Sequence, residues 1–112
     1  MRADDLVRLR HLVEAAESAL QFIAGRQRAD LDTDRMLLFA LVRALEIVGE
    51  AASRLSQELQ AAHPELPWRA MIGMRHRLIH AYFDINTDIV WQTVTQDLPA
   101  LLPRVRALLS DA

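Results

Sequence analysis

The residues best suited to chemistry fall in one short segment, Arg75-His76-Arg77-Leu78-Ile79-His80-Ala81-Tyr82. It brings together a permanent cation, two imidazoles and a phenol. An arginine offers a planar fork of donors to a phosphate. A histidine, with an unperturbed pKa of about 6.5, can give or take a proton near neutrality. Arg75 and His80 therefore read as a cation and a proton-transfer group on one stretch of chain. His76 and His80 also have the four-residue spacing of a metal chelate. Against that, the chain has no cysteine, Arg77 repels cations, and only His63 is near enough in sequence to complete a ligand set. Proton transfer at His80 is the favoured reading, with no metal. Between Leu66 and Phe83 there is no Asp or Glu, yet Arg69, Arg75, His76, Arg77 and His80 all fall there. In a chain of formal net charge −2 this is a local positive segment. Such a run is either a solvated helix face or an anion site.

The segment must be positioned by a helix. Pro67 suits a first turn, where its missing N–H would be unpaired anyway. The pattern predicts a helix from Trp68 to about Tyr82. At about 100° per residue, Trp68, Met71, Ile72, Leu78 and Ile79 share one arc, with Arg75 near its middle. Tyr82 shares the face of Arg75 two turns on, whereas Arg69, Gly73 and Arg77 face away. An unpartnered guanidinium on an apolar stripe is costly. Either it pairs with Glu46 or Glu50 of the preceding helix, or it serves an anion site, and the two can coexist. For Tyr82 the alternative is a core tyrosine whose hydroxyl only satisfies a neighbour.

The remaining elements are helical too. Asp4 or Asp5 can cap a helix whose stripe is Leu9, Val13, Ala16, Leu20 and Ile23, with Gly25 as its stop. A long second helix is predicted from Asp32 or Thr33 to about Gln60, with Leu37, Leu41, Leu45, Val48, Ala52, Leu55 and Leu59 on its main stripe. Its opposite side carries Met36, Phe39, Ala40 and Ile47 beside Arg43, Glu46 and Glu50. A helix apolar on two sides is central in a bundle or lies at a subunit interface. Asn86 can cap a fourth helix, which Pro99 and Pro103 should kink or divide before it ends near Leu109. No segment has the period of a strand. The expected architecture is all-α, an up-down bundle of four to five helices forming one domain over residues 1–112.

Composition sets outer bounds. Hydrophobic residues are 52% and charged residues 25%, as in a globular protein. Without cysteine there can be no disulfide, thiolate zinc site, iron–sulfur cluster or Cys nucleophile. The apolar run Met36–Val48 is too short and too charged to span a bilayer, and the acidic N-terminus is unlike a signal peptide, so a cytoplasmic protein is expected. There is no Gly-rich phosphate loop, no Gly-x-Ser-x-Gly and no His-Glu-x-x-His. Trp68 and Trp91 read as core anchors.

The Arg-x4-His-x-Tyr pattern of Arg75, His80 and Tyr82 resembles the signature of HepT-like toxins, within the HEPN superfamily of all-helical ribonucleases. Arg43-Ala-Leu-Glu-Ile-Val-Gly-Glu-Ala-Ala, Pro67-Trp68-Arg69 and Ile89-Val90-Trp91 extend the likeness over essentially the whole chain. The resemblance implies a homodimer with two motifs facing one cleft, metal-independent RNA cleavage and no cofactor. It implies a type II toxin–antitoxin pair, whose partner is a cognate MNT-type nucleotidyltransferase antitoxin. That partner would silence the toxin by transferring AMP to the motif tyrosine, here Tyr82. In the family the residue after the motif Arg is often Asn or Asp; here it is His76, a polar residue of open role. His76, Arg77, Glu46 and Glu50 are candidates for support or RNA binding. The chemistry is consistent, because RNA carries its own nucleophile, the 2′-hydroxyl. Cleavage then needs a proton-transfer group and a cation for the phosphorane charge. One helix aims residues five apart poorly at one phosphate, and a two-fold dimer would supply the convergence. The alternative is a non-catalytic helical binding subunit of a nucleotidyltransferase.

Overall fold

The computed structural model describes residues 1–81 and 84–111, and the side chains of all of these except His80 and Ala81. The chain is mostly helical, an all-α fold with one minimal strand pair. In order the elements are α1 (Ala3–Phe22), α2 (Asp30–Thr33), α3 (Arg35–Ser53), α4 (Gln57–Ala62), α5 (Trp68–Ile72) and α6 (Met74–Leu78). Then come β1 (Ile79–Ala81), β2 (Asp84–Ile85), α7 (Thr87–Gln92), a π-helical turn (Thr93–Asp97) and α8 (Leu98–Ser110). The long helix α1 packs along α3 and also against α8, while α5 and α6 lie against the far part of α3. Among the described residues no helix is long and apolar enough to cross a membrane.

Several boundaries fall where the residue types place them. Gly25 takes φ 74°, the left-handed conformation that stops α1. Asn86 Oδ1 accepts from the backbone N–H of Ile89 at 3.1 Å and caps α7. The buried stripe of α1 is Leu9, Leu12, Val13, Ala16 and Ala19, and that of α3 includes Leu37, Leu41, Leu45, Val48 and Ala52.

Other boundaries correct the sequence reading. The second long helix does not run from Asp32 to Gln60. Asp34 caps α3, accepting from Leu37 N–H at 3.0 Å, and α3 ends at Ser53. The break is made from a distance. Asp5, buried in the first turn of α1, caps nothing there. Its carboxylate instead accepts from the Ser56 N–H at 2.8 Å and from the Ser56 hydroxyl at 2.6 Å. The Ser56 Oγ in turn accepts from Leu59 N–H and starts α4. The third helix does not reach Tyr82. Gly73 divides it into α5 and α6, and α6 ends at Leu78, where Ile79 pairs with Ile85 in the antiparallel β1–β2 ladder. A strand pair was not legible from sequence, because each strand is too short to show a period. Pro99 and Pro103 do not divide the last helix. Pro99 sits in the first turn of α8, just after the π-helical turn, and α8 continues through Pro103.

Candidate functional site

The site is positioned by the contact of α5 and α6 with α3. Gly49 of α3 is buried, and a Cβ built on it would lie 2.9 Å from the carbonyl oxygen of Met71. Only glycine allows that approach. Past Met71 the chain turns tightly at Gly73, where the carbonyl accepts from His76 N–H at 3.1 Å. The turn rotates α6 so that Met74 and Leu78 enter the core with Trp68 and Met71. Arg75 is thereby moved off the apolar stripe on which the sequence places it. Its side chain is 61% exposed.

Arg75 is nonetheless partnered. Its Nε–H donates to Glu46 Oε2 at 3.3 Å, and the Glu46 side chain is 28% exposed. Of the two carboxylates expected to receive it, Glu46 does so. Glu50 faces Arg54 at 3.5 Å instead. Arg75 and His76 line a groove of about 390 Å³ with Arg43, Glu46, Gly49, Glu50, Ser53 and Ile72. On the other side of the Arg75–Glu46 pair lies a second hollow, lined by Phe39, Val42, Ile79 and Ile85. The guanidinium is thus held at its Nε by a carboxylate. Arg77 is not part of this arrangement. It turns to the other face, where it lies 3.9 Å from Asp97.

His80 belongs to β1, not to the helix of Arg75, so the helical angle between the two does not apply. The His80 side chain and Tyr82 lie outside the described residues, as does any contact they make with Arg75. Among the described residues no group of three or more His, Asp or Glu side chains could hold a metal ion.

Sequence reasoning placed Arg43 on the outer side of α3 with Glu46 and Glu50 but gave neither it nor Gly49 a role in the site. Arg43 was detectable, standing three residues before Glu46 on the outward stripe Met36–Phe39–Arg43–Glu46–Glu50 of α3. Gly49 carries no such signal, since a glycine within a helical pattern does not announce its neighbour.

Residues 12–108 match the family described as ribonuclease HepT-like, and the chain belongs to that family. A Thermococcus cleftensis protein named "Probable ribonuclease HepT" is 41% identical over 93 residues, covering 83% of this chain and 84% of its own. A Caldanaerobacter subterraneus protein named "Putative RNase TTE0752" is 37% identical over 101 residues, 90% of each chain. In Methanocaldococcus jannaschii, "Putative RNase MJ1380" is 32% identical over 94 residues, 84% of this chain and 86% of its own. No solved structure matches the chain.

Proposed function

We propose that this chain is a metal-independent endoribonuclease, the toxin of a type II toxin–antitoxin pair. The observation that carries the reading is the Arg75–Glu46 pair, which holds a guanidinium at an open groove, five residues before His80. In the proposed reaction the RNA 2′-oxygen attacks the adjacent phosphorus and the bond to the 5′-oxygen breaks. A proton leaves the 2′-hydroxyl and one is delivered to the departing 5′-oxygen. His80 moves a proton, and Arg75 stabilises the added charge on the phosphorane. Two copies of the site face one cleft in a homodimer. In support, Phe39 of α3 and Ile72 of α5 are exposed apolar residues lining the hollows at the Arg75–Glu46 pair, and Met36 is exposed at the start of α3. His76 lines the groove as a further RNA-binding group, and Glu46 is the residue that positions Arg75.

In this reading the cognate nucleotidyltransferase silences the enzyme by transferring AMP from ATP to the Tyr82 hydroxyl, with release of pyrophosphate. The adduct would bring bulk and negative charge to the place an RNA phosphate must occupy.

Purified wild type, Arg75→Ala and His80→Ala are compared on bulk RNA with and without EDTA. Wild type should cleave in both conditions and neither variant should. Loss of cleavage on chelation would restore the His76–His80 metal reading. Intact RNA with wild type would leave a non-catalytic binding subunit. With the nucleotidyltransferase and ATP, the intact mass should rise by whole AMP units, and Tyr82→Phe should abolish the rise.

A further inference from the structure

A second open groove, of about 600 Å³, runs between α1 and α3. Arg8 and His11 of α1 line it together with Arg43 and Arg54 of the α3 side. Arg43 and Glu50 also line the groove of Arg75 and His76, so the two are continuous. Within this surface the carboxylates of Glu46 and Glu50 are already engaged, by Arg75 and by Arg54, and Asp4 is a further carboxylate on the α1 wall. Among the described residues neither Arg8 nor Arg43 has a carboxylate partner. Arg8 only approaches the carbonyl oxygen of Asp4, at 3.5 Å. A chain whose formal net charge is −2 thus presents a line of cations across three elements, ending at the candidate site.

We propose that this groove carries the RNA strand away from the scissile phosphate, with Arg43 and then Arg8 and His11 each taking a backbone phosphate. The inference rests on the ribonuclease reading and extends it from one phosphate to a path. A strand with its reacting phosphate at Arg75 must leave the site in some direction, and Arg43 is the cation shared with the neighbouring groove. Successive phosphates are a row of like charges that separately placed arginines can follow without reading sequence. A protein's acidic face could also meet these arginines, and the test distinguishes that case.

The probe is a short fluorescent single-stranded RNA with methylated 2′-oxygens, which binds without being cut. Its anisotropy is followed against salt for wild type, Arg8→Ala, Arg43→Ala and Arg106→Ala, the last lying outside both grooves. Arg8→Ala and Arg43→Ala should each weaken binding roughly threefold. Each should also flatten the plot of log affinity against log salt by about 0.7 for every phosphate that is no longer held. Arg106→Ala should follow wild type. If Arg8→Ala and Arg43→Ala keep wild-type affinity and slope while Arg75→Ala loses binding, the path is wrong and the ribonuclease reading stands. If wild type shows no salt-dependent affinity for the probe, both fail. If either variant changes the oligomeric mass by light scattering, the groove is a protein interface and the path is overturned.

Discussion

Gly49 and Met71 stand so close that a Cβ on the first would lie 2.9 Å from the carbonyl oxygen of the second. Two helices meet there with no side chain between them. Replacing a glycine inside a helix by alanine ordinarily stabilises by about 0.5–1 kcal/mol. Here the backbone of α5 must move, so Gly49→Ala should instead cost about 1–3 kcal/mol. Thermal denaturation reads the sign directly, and a raised Tm would refute the close approach.

Asp5 and Ser56 join the start of α1 to the start of α4 through two hydrogen bonds. Asp5→Ala leaves the Ser56 N–H without its acceptor in a part-buried place, and should destabilise by about 1–3 kcal/mol. Ser56→Ala removes one of the same bonds. The double variant should therefore lose less than the sum of the two singles. Urea titration of the four proteins measures the coupling, and strict additivity would show that the two residues do not act together.

Glu46 should matter more to activity than to stability. Arg75 is largely exposed, and an ion pair of that kind contributes at most about 1 kcal/mol. Glu46→Ala should leave the Tm within a few degrees while lowering kcat more than it raises KM. Glu46→Gln, which keeps an oxygen acceptor, should recover part of the loss. Equal activity in all three proteins would remove Glu46 from the positioning role.

Asp34 gives the fold an acid-sensitive cap. The Leu37 backbone N–H, and beyond it the Arg26 guanidinium, hold its carboxyl below the usual carboxylate range. A depressed folded pKa means that the cap's contribution is present above the unfolded value of about 3.9 and fades as pH falls through the folded one. Asp34→Asn does not titrate. The stability difference between wild type and this variant should thus be constant near neutrality and shrink below about pH 4. A difference independent of pH down to strong acid would contradict this.

What could be read from the sequence was what depends on nearest neighbours along a helix. The stripe of α1, the left-handed Gly25, the Asn86 cap and the all-α class all follow from spacing and residue type. The choice of Glu46 over Glu50 was open, and the structure resolves it through the rotation at Gly73. What failed depended on partners far along the chain. Ser56 breaks the second helix because Asp5 reaches it from 51 positions away. The third helix stops at Leu78 because Ile79 finds Ile85 across the hairpin. The helical spacing turned Arg77 away from Arg75, and its guanidinium does lie near Asp97, so the support role that the resemblance suggested for it finds no contact with Arg75. The roles of His80 and Tyr82 rest on the sequence and on the experiments described above.

The π-helical turn at Thr93–Asp97 bears on which changes of chain length the protein can absorb. Such a turn holds one residue more than α geometry needs between the same two ends. Val90 before it, Val94 within it, and Leu98 and Leu101 after it are all buried, so both flanks are already in phase with the core. Deleting the exposed Gln96 would let this stretch relax to an ordinary α-helix with those faces kept. A deletion in the middle of α3 would rotate every later side chain by about 100° and turn its core face outward. Insertions and deletions are thus not equally harmful along the bundle: its last long helix carries a slack residue, and the helix that bears Glu46 carries none.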